Sequence, residues 1–241
     1  MFLRTSVRRF AMIPLRDDNP SSARPFVTYA IIVVCVLVFL WQFSLGASGG
    51  QQAVYAFGFI PAVLFGIEQL PPQLQLVPPT VTILTSMFMH GGWMHLIGNM
   101  LYLWIFGDNV EESMGHGRFV VFYVLCGVAA ALAQAIPEPS STIPMVGASG
   151  AISGVLGAYL LLHPHARVLV VIPFGFILHT VRLPARIVLV LWFGLQLLSN
   201  LMAQPGQGGV AFRAHIGGFI AGMLLIGVFK RRNVRLFAPA R

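Results

Sequence analysis

Six apolar runs dominate this chain, each near the length that crosses a lipid bilayer: Phe26 to Leu45, Gly92 to Phe106, Phe119 to Ile136, Ala148 to Leu162, Ala185 to Met202 and Ala214 to Phe229. A helix rising about 1.5 Å per residue needs roughly 20 mostly apolar residues to span the hydrocarbon core. Only 9% of the residues are charged and 57% are hydrophobic, against about 25% charged in soluble domains. No soluble domain is expected beside the spans. Backbone polar groups in lipid must be satisfied within the segment, which favours helices. The expected fold is therefore an all-α membrane protein, a bundle of six transmembrane helices. It divides into an N-terminal segment over 1–25, the bundle over 26–230 and a basic tail over 231–241.

A further apolar stretch, Val168 to Val181, is short and interrupted by Pro173, Gly175 and His179. It reads as an interfacial or re-entrant segment. Met1 to Met12 has the basic, acid-free look of a mitochondrial presequence, and the first apolar run is too long for a secretory signal core. Cys35 and Cys126 both fall inside spans and form neither a disulfide framework nor a metal-ligand spacing.

The net charge of +8 invites a nucleic-acid reading, but the basic residues follow membrane topology instead. Arg4, Arg8, Arg9, Arg16 and Arg24 precede the first span, and Arg118 lies between spans two and three. Arg167, Arg182 and Arg186 lie between four and five, while Lys230, Arg231, Arg232, Arg235 and Arg241 follow the sixth. All of these share one side of a six-span chain, and Arg213 alone falls on the other. Positive residues mark cytoplasmic loops, so both termini are expected in the cytoplasm, with no nucleic-acid partner.

With that topology, spans two, four and six begin in the same leaflet, and each carries polar residues near its start. The segments are His90-Gly-Gly-Trp-Met-His95-Leu-Ile-Gly-Asn99, Gly147-Ala-Ser149-Gly150 and Ala214-His215-Ile-Gly-Gly218. Strongly polar residues inside a membrane cost a few kcal/mol and face the bundle interior, which makes them functional candidates. Span four is confined between Pro144 and Pro164. Its roughly 15 helical residues reach about 23 Å against a core of about 30 Å, so Ser149 is expected at the floor of a depression that water enters. Gly147, Gly150, Gly154 and Gly157 on span four and Gly218 and Gly222 on span six place small residues on one face. Such faces let helices approach closely enough for short side chains to meet.

A serine hydroxyl becomes a useful nucleophile when a base takes its proton, and histidine is the usual base. Ser149 and His215 fill these roles. The acids Asp17, Asp18, Glu68, Asp108, Glu111, Glu112 and Glu138 lie outside that layer, and the single lysine, Lys230, lies at the other end. A dyad without a carboxylate is expected. His95 and Asn99 lie four residues apart on one helix face and are placed to donate to an oxyanion, with the Ser149 backbone N–H as a third donor. His90 stands just outside the helix, in a supporting role.

HGGWMHLIGN with His90, His95 and Asn99, GASGAISG from Gly147, and AHIGGFIAG with His215, Gly218 and Gly222 together resemble the rhomboid intramembrane proteases. The resemblance covers essentially all six spans. It implies a Ser149–His215 dyad, an oxyanion hole including His95 and Asn99, a gate near span five, and cleavage of transmembrane protein substrates near small residues. It implies no cofactor and no metal. Many rhomboids carry an aromatic residue four positions after the nucleophile, packed on the histidine, where this chain has Ser153. That hydroxyl is expected to bond the carbonyl four residues back. The expected location is a bacterial plasma membrane, with the site opening to the outer side.

Three rival readings have distinct signatures. A catalytically silent rhomboid-like protein would bind client helices without cutting them. A metal centre would gather His90, His95 and His215 around one ion, and a transporter would show an inverted repeat.

Overall fold

The computed structural model describes residues 13–174, 177–203 and 210–238; the presequence-like stretch Met1 to Met12 lies outside them. Nine helices are found among the described residues. They are α1 (Phe26–Ser44), α2 (Gly46–Phe57), α3 (Pro61–Leu64), α4 (Thr82–Thr85), α5 (Trp93–Met114), α6 (His116–Ala135), α7 (Ser149–Leu162), α8 (Ala185–Met202) and α9 (Phe212–Phe229). The protein is mostly helical. Four helices, α1, α6, α8 and α9, are long and apolar enough to cross a membrane. The other two expected spans fall short for opposite reasons. α5 has the length, at 22 residues, but is diluted by His95, Asn99 and acids near its end. α7 is strongly apolar but has only 14 residues.

Helix α7 occupies the centre and is buried along almost its whole length. It packs most extensively against α9, then α6 and α5, with α8 touching it more lightly. The α7–α9 seam depends on glycine. A Cβ on Gly222 would run into the Gly154 carbonyl, and one on Gly218 into the Gly150 carbonyl, so these backbones meet with no side chain between them. Large apolar side chains such as Leu201, Leu224 and Val228 remain exposed at 81%, 73% and 79%, as lipid-facing surface requires.

The expectation of an all-α fold is corrected by a three-stranded antiparallel sheet. Its strands are β1 (Ile13–Asp17), β2 (Arg167–Phe174) and β3 (Ile177–Pro184), in the order β1-β2-β3. Most of the apolar stretch Val168 to Val181 thus lies in β2 and β3, which pair antiparallel, and Gly175 lies outside the described residues. Val168 and Val170 point into the core, while Arg167 is exposed. The alternation that marks a strand is hidden because apolar residues also occupy the outward positions.

α1 has no capping side chain of its own, since Pro25 precedes it. Glu111 from α5 supplies the cap instead. Its carboxylate accepts from the backbone N–H of Val27 at 2.9 Å, from that of Thr28 at 2.8 Å and from the Thr28 hydroxyl at 2.7 Å. This satisfies donors that a helix start leaves open and sets negative charge at the positive end of its dipole. The connection from α1 to α5, containing α2 to α4, holds the loop before α7. Phe59 and Met145 exchange backbone hydrogen bonds of 3.0 and 2.7 Å, and the Gly147 N–H donates to the Ser86 carbonyl at 2.9 Å.

Candidate active site

Ser149 is the first residue of α7, and His215 lies in the first turn of α9. The glycine seam brings them together. Ser149 Oγ and His215 Nε2 are 2.8 Å apart, hydrogen-bond distance for a hydroxyl donating to a ring nitrogen. His215 Nδ1 is 2.8 Å from the side-chain oxygen of Gln196 on α8. With Nε2 accepting from the serine, Nδ1 carries the proton of the neutral ring and donates it to Gln196. The orienting partner is an amide, and among the described residues no carboxylate bonds His215.

The backbone preceding Ser149 turns through Gly147, whose φ of +123° is strained for any residue with a Cβ. Space forbids one as well. A Cβ there would lie 2.7 Å from His95 Nε2 and 3.5 Å from Asn99 Nδ2. Both donors therefore face one spot beside the start of α7. His95 Nδ1 accepts from the Gly91 N–H at 3.3 Å, which leaves the proton of its neutral ring on Nε2. Asn99 Nδ2 is buried with no hydrogen-bond partner among the described residues. A buried unsatisfied donor costs about 1–3 kcal/mol, so its persistence here is informative.

These groups line one cavity of about 740 Å³, shared by His95, Asn99, Ser149, Trp192 and His215. Gln134 of α6 also reaches it, its side-chain oxygen unpaired among the described residues. At its border Arg213, the basic residue on the minority side of the charge pattern, pairs with Glu138 at 2.7 Å. Gly150, Gly154, Gly218 and Gly222 serve the helix contact rather than the cavity chemistry.

His90 stands apart from the hydroxyl–imidazole pair. Its Nδ1 bonds the Phe88 carbonyl at 3.2 Å, and its backbone is clasped by the Gln42 amide, with Nε2 to the His90 carbonyl at 2.9 Å. Its ring is wholly buried. Burial, with the His95 ring adding to it, pushes its pKa down to about 4. His90 fixes the loop before α5. Among the described residues no group of three or more His, Cys, Asp or Glu side chains is placed to hold a metal ion.

The Ser153 hydroxyl donates to the Ser149 carbonyl at 2.6 Å, the backbone bond expected of it. The aromatic neighbour of His215 comes from elsewhere. Trp192 of α8 lies with its ring centroid 5.9 Å away, tilted by 35°. Sequence reasoning passed over Trp192 and Gln196. The signal for Gln196 was an amide inside an apolar run, where it and Asn200 are costly residues to leave facing lipid.

Comparison with known proteins shows the family. Residues 78–232 match the model of the Rhomboid domain. The chain is 30% identical over 211 residues to Rhomboid protein 1, mitochondrial, of Saccharomyces cerevisiae, covering 79% of this chain and 58% of that protein. It is 30% identical over 215 residues to Rhomboid protease GluP of Bacillus subtilis, covering 88% of this chain and 38% of that one. It is 28% identical over 126 residues to Rhomboid protease GlpG of Klebsiella pneumoniae, covering 52% and 40%. The chain thus spans about two fifths to three fifths of the length of these relatives. With its apolar helices it is an integral membrane protein, and it belongs to the rhomboid family.

Proposed function

We propose that this chain is a serine endopeptidase that hydrolyses peptide bonds in or beside transmembrane segments of other membrane proteins. The observation that carries the reading is the 2.8 Å hydrogen bond from Ser149 Oγ to His215 Nε2, formed inside a cavity that two further donors face. His215 Nε2 takes the serine proton as Oγ attacks the scissile carbonyl. Negative charge then develops on the carbonyl oxygen. The Nε2–H of His95, the Nδ2–H of Asn99 and the Ser149 N–H meet it, preorganised donation being often the largest catalytic contribution. His215 returns the proton to the leaving amine, and water completes the cycle by the same path. A 14-residue α7 spans about 21 Å, less than a core of about 30 Å, so water reaches Ser149 without crossing the bilayer. The distribution of basic residues supports a site opening on the face opposite the termini, with both termini cytoplasmic.

Cleavage of a model transmembrane substrate in liposomes tests this directly. Ser149→Ala and His215→Ala are expected to lose on the order of 10⁴-fold or more in kcat. Ser153→Ala stays within about threefold, because its hydroxyl serves a backbone carbonyl. Chelator has no effect. Undiminished cleavage by Ser149→Ala overturns the assignment, and activity lost to chelator would favour the metal reading.

A further inference from the structure

The pair that meets at 2.8 Å draws its members from α7 and α9, but the base is held by a third helix. Resting on the protease reading above, we propose that Gln196 of α8 is the positioning residue of His215, taking the place that a carboxylate holds in a triad. Three observations converge on it. Its side-chain oxygen lies 2.8 Å from His215 Nδ1, and His215 Nε2 is already committed to Ser149. The imidazole therefore has one proton to place and one acceptor to receive it. Trp192, one turn before Gln196 on the same face of α8, lies beside the same ring. Third, among the described residues the Ser153 hydroxyl bonds the Ser149 carbonyl, while His215 Nδ1 is bonded by Gln196 and not by Ser153.

An imidazole held at Nδ1 keeps its Nε2 lone pair aimed at the serine. Without an acceptor, both ring rotation and the other tautomer become available, and the fraction of molecules ready to accept the serine proton falls. A neutral amide orients the ring without adding a buried charge beside it, which suits a site in low-dielectric surroundings. Because the second half of α8 is largely exposed and meets α9 through Trp192 and Phe193, the base is fully set only while α8 is docked.

The test compares Gln196→Met, Gln196→Glu and Ser149→Ala with the intact protein, reading kcat and KM on a transmembrane substrate and thermal unfolding in detergent. Met keeps the length and packing volume of Gln but has no strong acceptor. It is expected to lower kcat roughly ten- to fiftyfold with KM within about twofold and the melting temperature unchanged, the loss expected of one catalytic hydrogen bond. Glu restores an acceptor oxygen at the same reach and recovers most of kcat. Wild-type kcat in Gln196→Met overturns the proposal. Equal losses in Met and Glu, accompanied by a lowered melting temperature, overturn it in favour of packing. The Ser149→Ala arm separates the two readings: if it is inactive while Gln196→Met is fully active, only the role of Gln196 falls, whereas cleavage by Ser149→Ala removes both.

Discussion

The bundle buries polar residues at both ends of α5 and α7, and the two ends treat them differently. Near Asp17 most of the polar groups are paired among themselves, Asn109 Oδ1 being the buried exception among the described residues. Glu111 accepts three hydrogen bonds from the start of α1 and meets His116 Nδ1 at 2.6 Å, while Tyr159 donates to Asp17. Near Ser149 the buried groups include Asn99 Nδ2, left without a partner among the described residues and turned towards a cavity. Burial alone does not distinguish structure from function here. Facing a cavity does: the largely paired layer near Asp17 supports stability, whereas the open donor of Asn99 is turned into space that another group can occupy.

Removing a polar group at each end turns this contrast into numbers. Glu111→Ala leaves the α1 donors uncompensated in a buried site, and breaking such an arrangement costs about 3–5 kcal/mol. A large drop in the unfolding midpoint is expected, with kcat per folded molecule within about threefold. A stable variant that has lost activity would erase the distinction between the ends. Asn99→Leu is the converse. It removes one donor of the proposed oxyanion hole, expected to lower kcat by about 10²- to 10³-fold, yet it also removes an unpaired buried amide, so the melting temperature holds or rises. A marked loss of stability would mean that Asn99 has a structural partner after all.

The sequence disclosed the helices better than it disclosed their contacts. α8 coincides with the apolar run Ala185 to Met202, and α1, α6, α7 and α9 fall within about three residues of theirs, because long uninterrupted apolar runs have few other uses. α5 continues past Phe106 to Met114. Its last turns carry Asp108, Glu111 and Glu112, which look like a loop until Glu111 is seen capping another helix. The sheet escaped because β1 is a mixed polar segment whose partner is some 150 residues away in sequence, and no local pattern records such a pairing. At the site, Ser149, His215, His95 and Asn99 were legible as polar residues at a shared depth. Gln196 was not, since its role depends on the rotation of α8 against α9, which hydropathy does not encode.

The two ends should also answer acid with opposite signs. His90, buried at the Ser149 end, has its pKa pushed to about 4 by burial and by His95, from an ordinary value of 6.5. Between those values the unfolded chain binds the proton and the native one does not. Its contribution is therefore complete above about pH 6.5 and is lost as pH falls towards 4. Asp17 at the other end has its carboxyl raised to about 6 from 3.8, chiefly by burial, against the lowering effect of its Tyr159 hydrogen bond. There the native chain binds the proton first, so stability is gained as pH falls from about 6. Unfolding midpoints at pH 7.5 and pH 5 separate the two. His90→Asn keeps a donor for the Phe88 carbonyl but does not titrate, and it should recover up to about 2 kcal/mol of the acid loss, the equivalent of about 1.5 pH units of protonation. Asp17→Asn should do the reverse and steepen the loss. If both variants follow the wild-type pH dependence, neither group reports its end of the bundle, and the sensitivity to acid arises elsewhere in the chain.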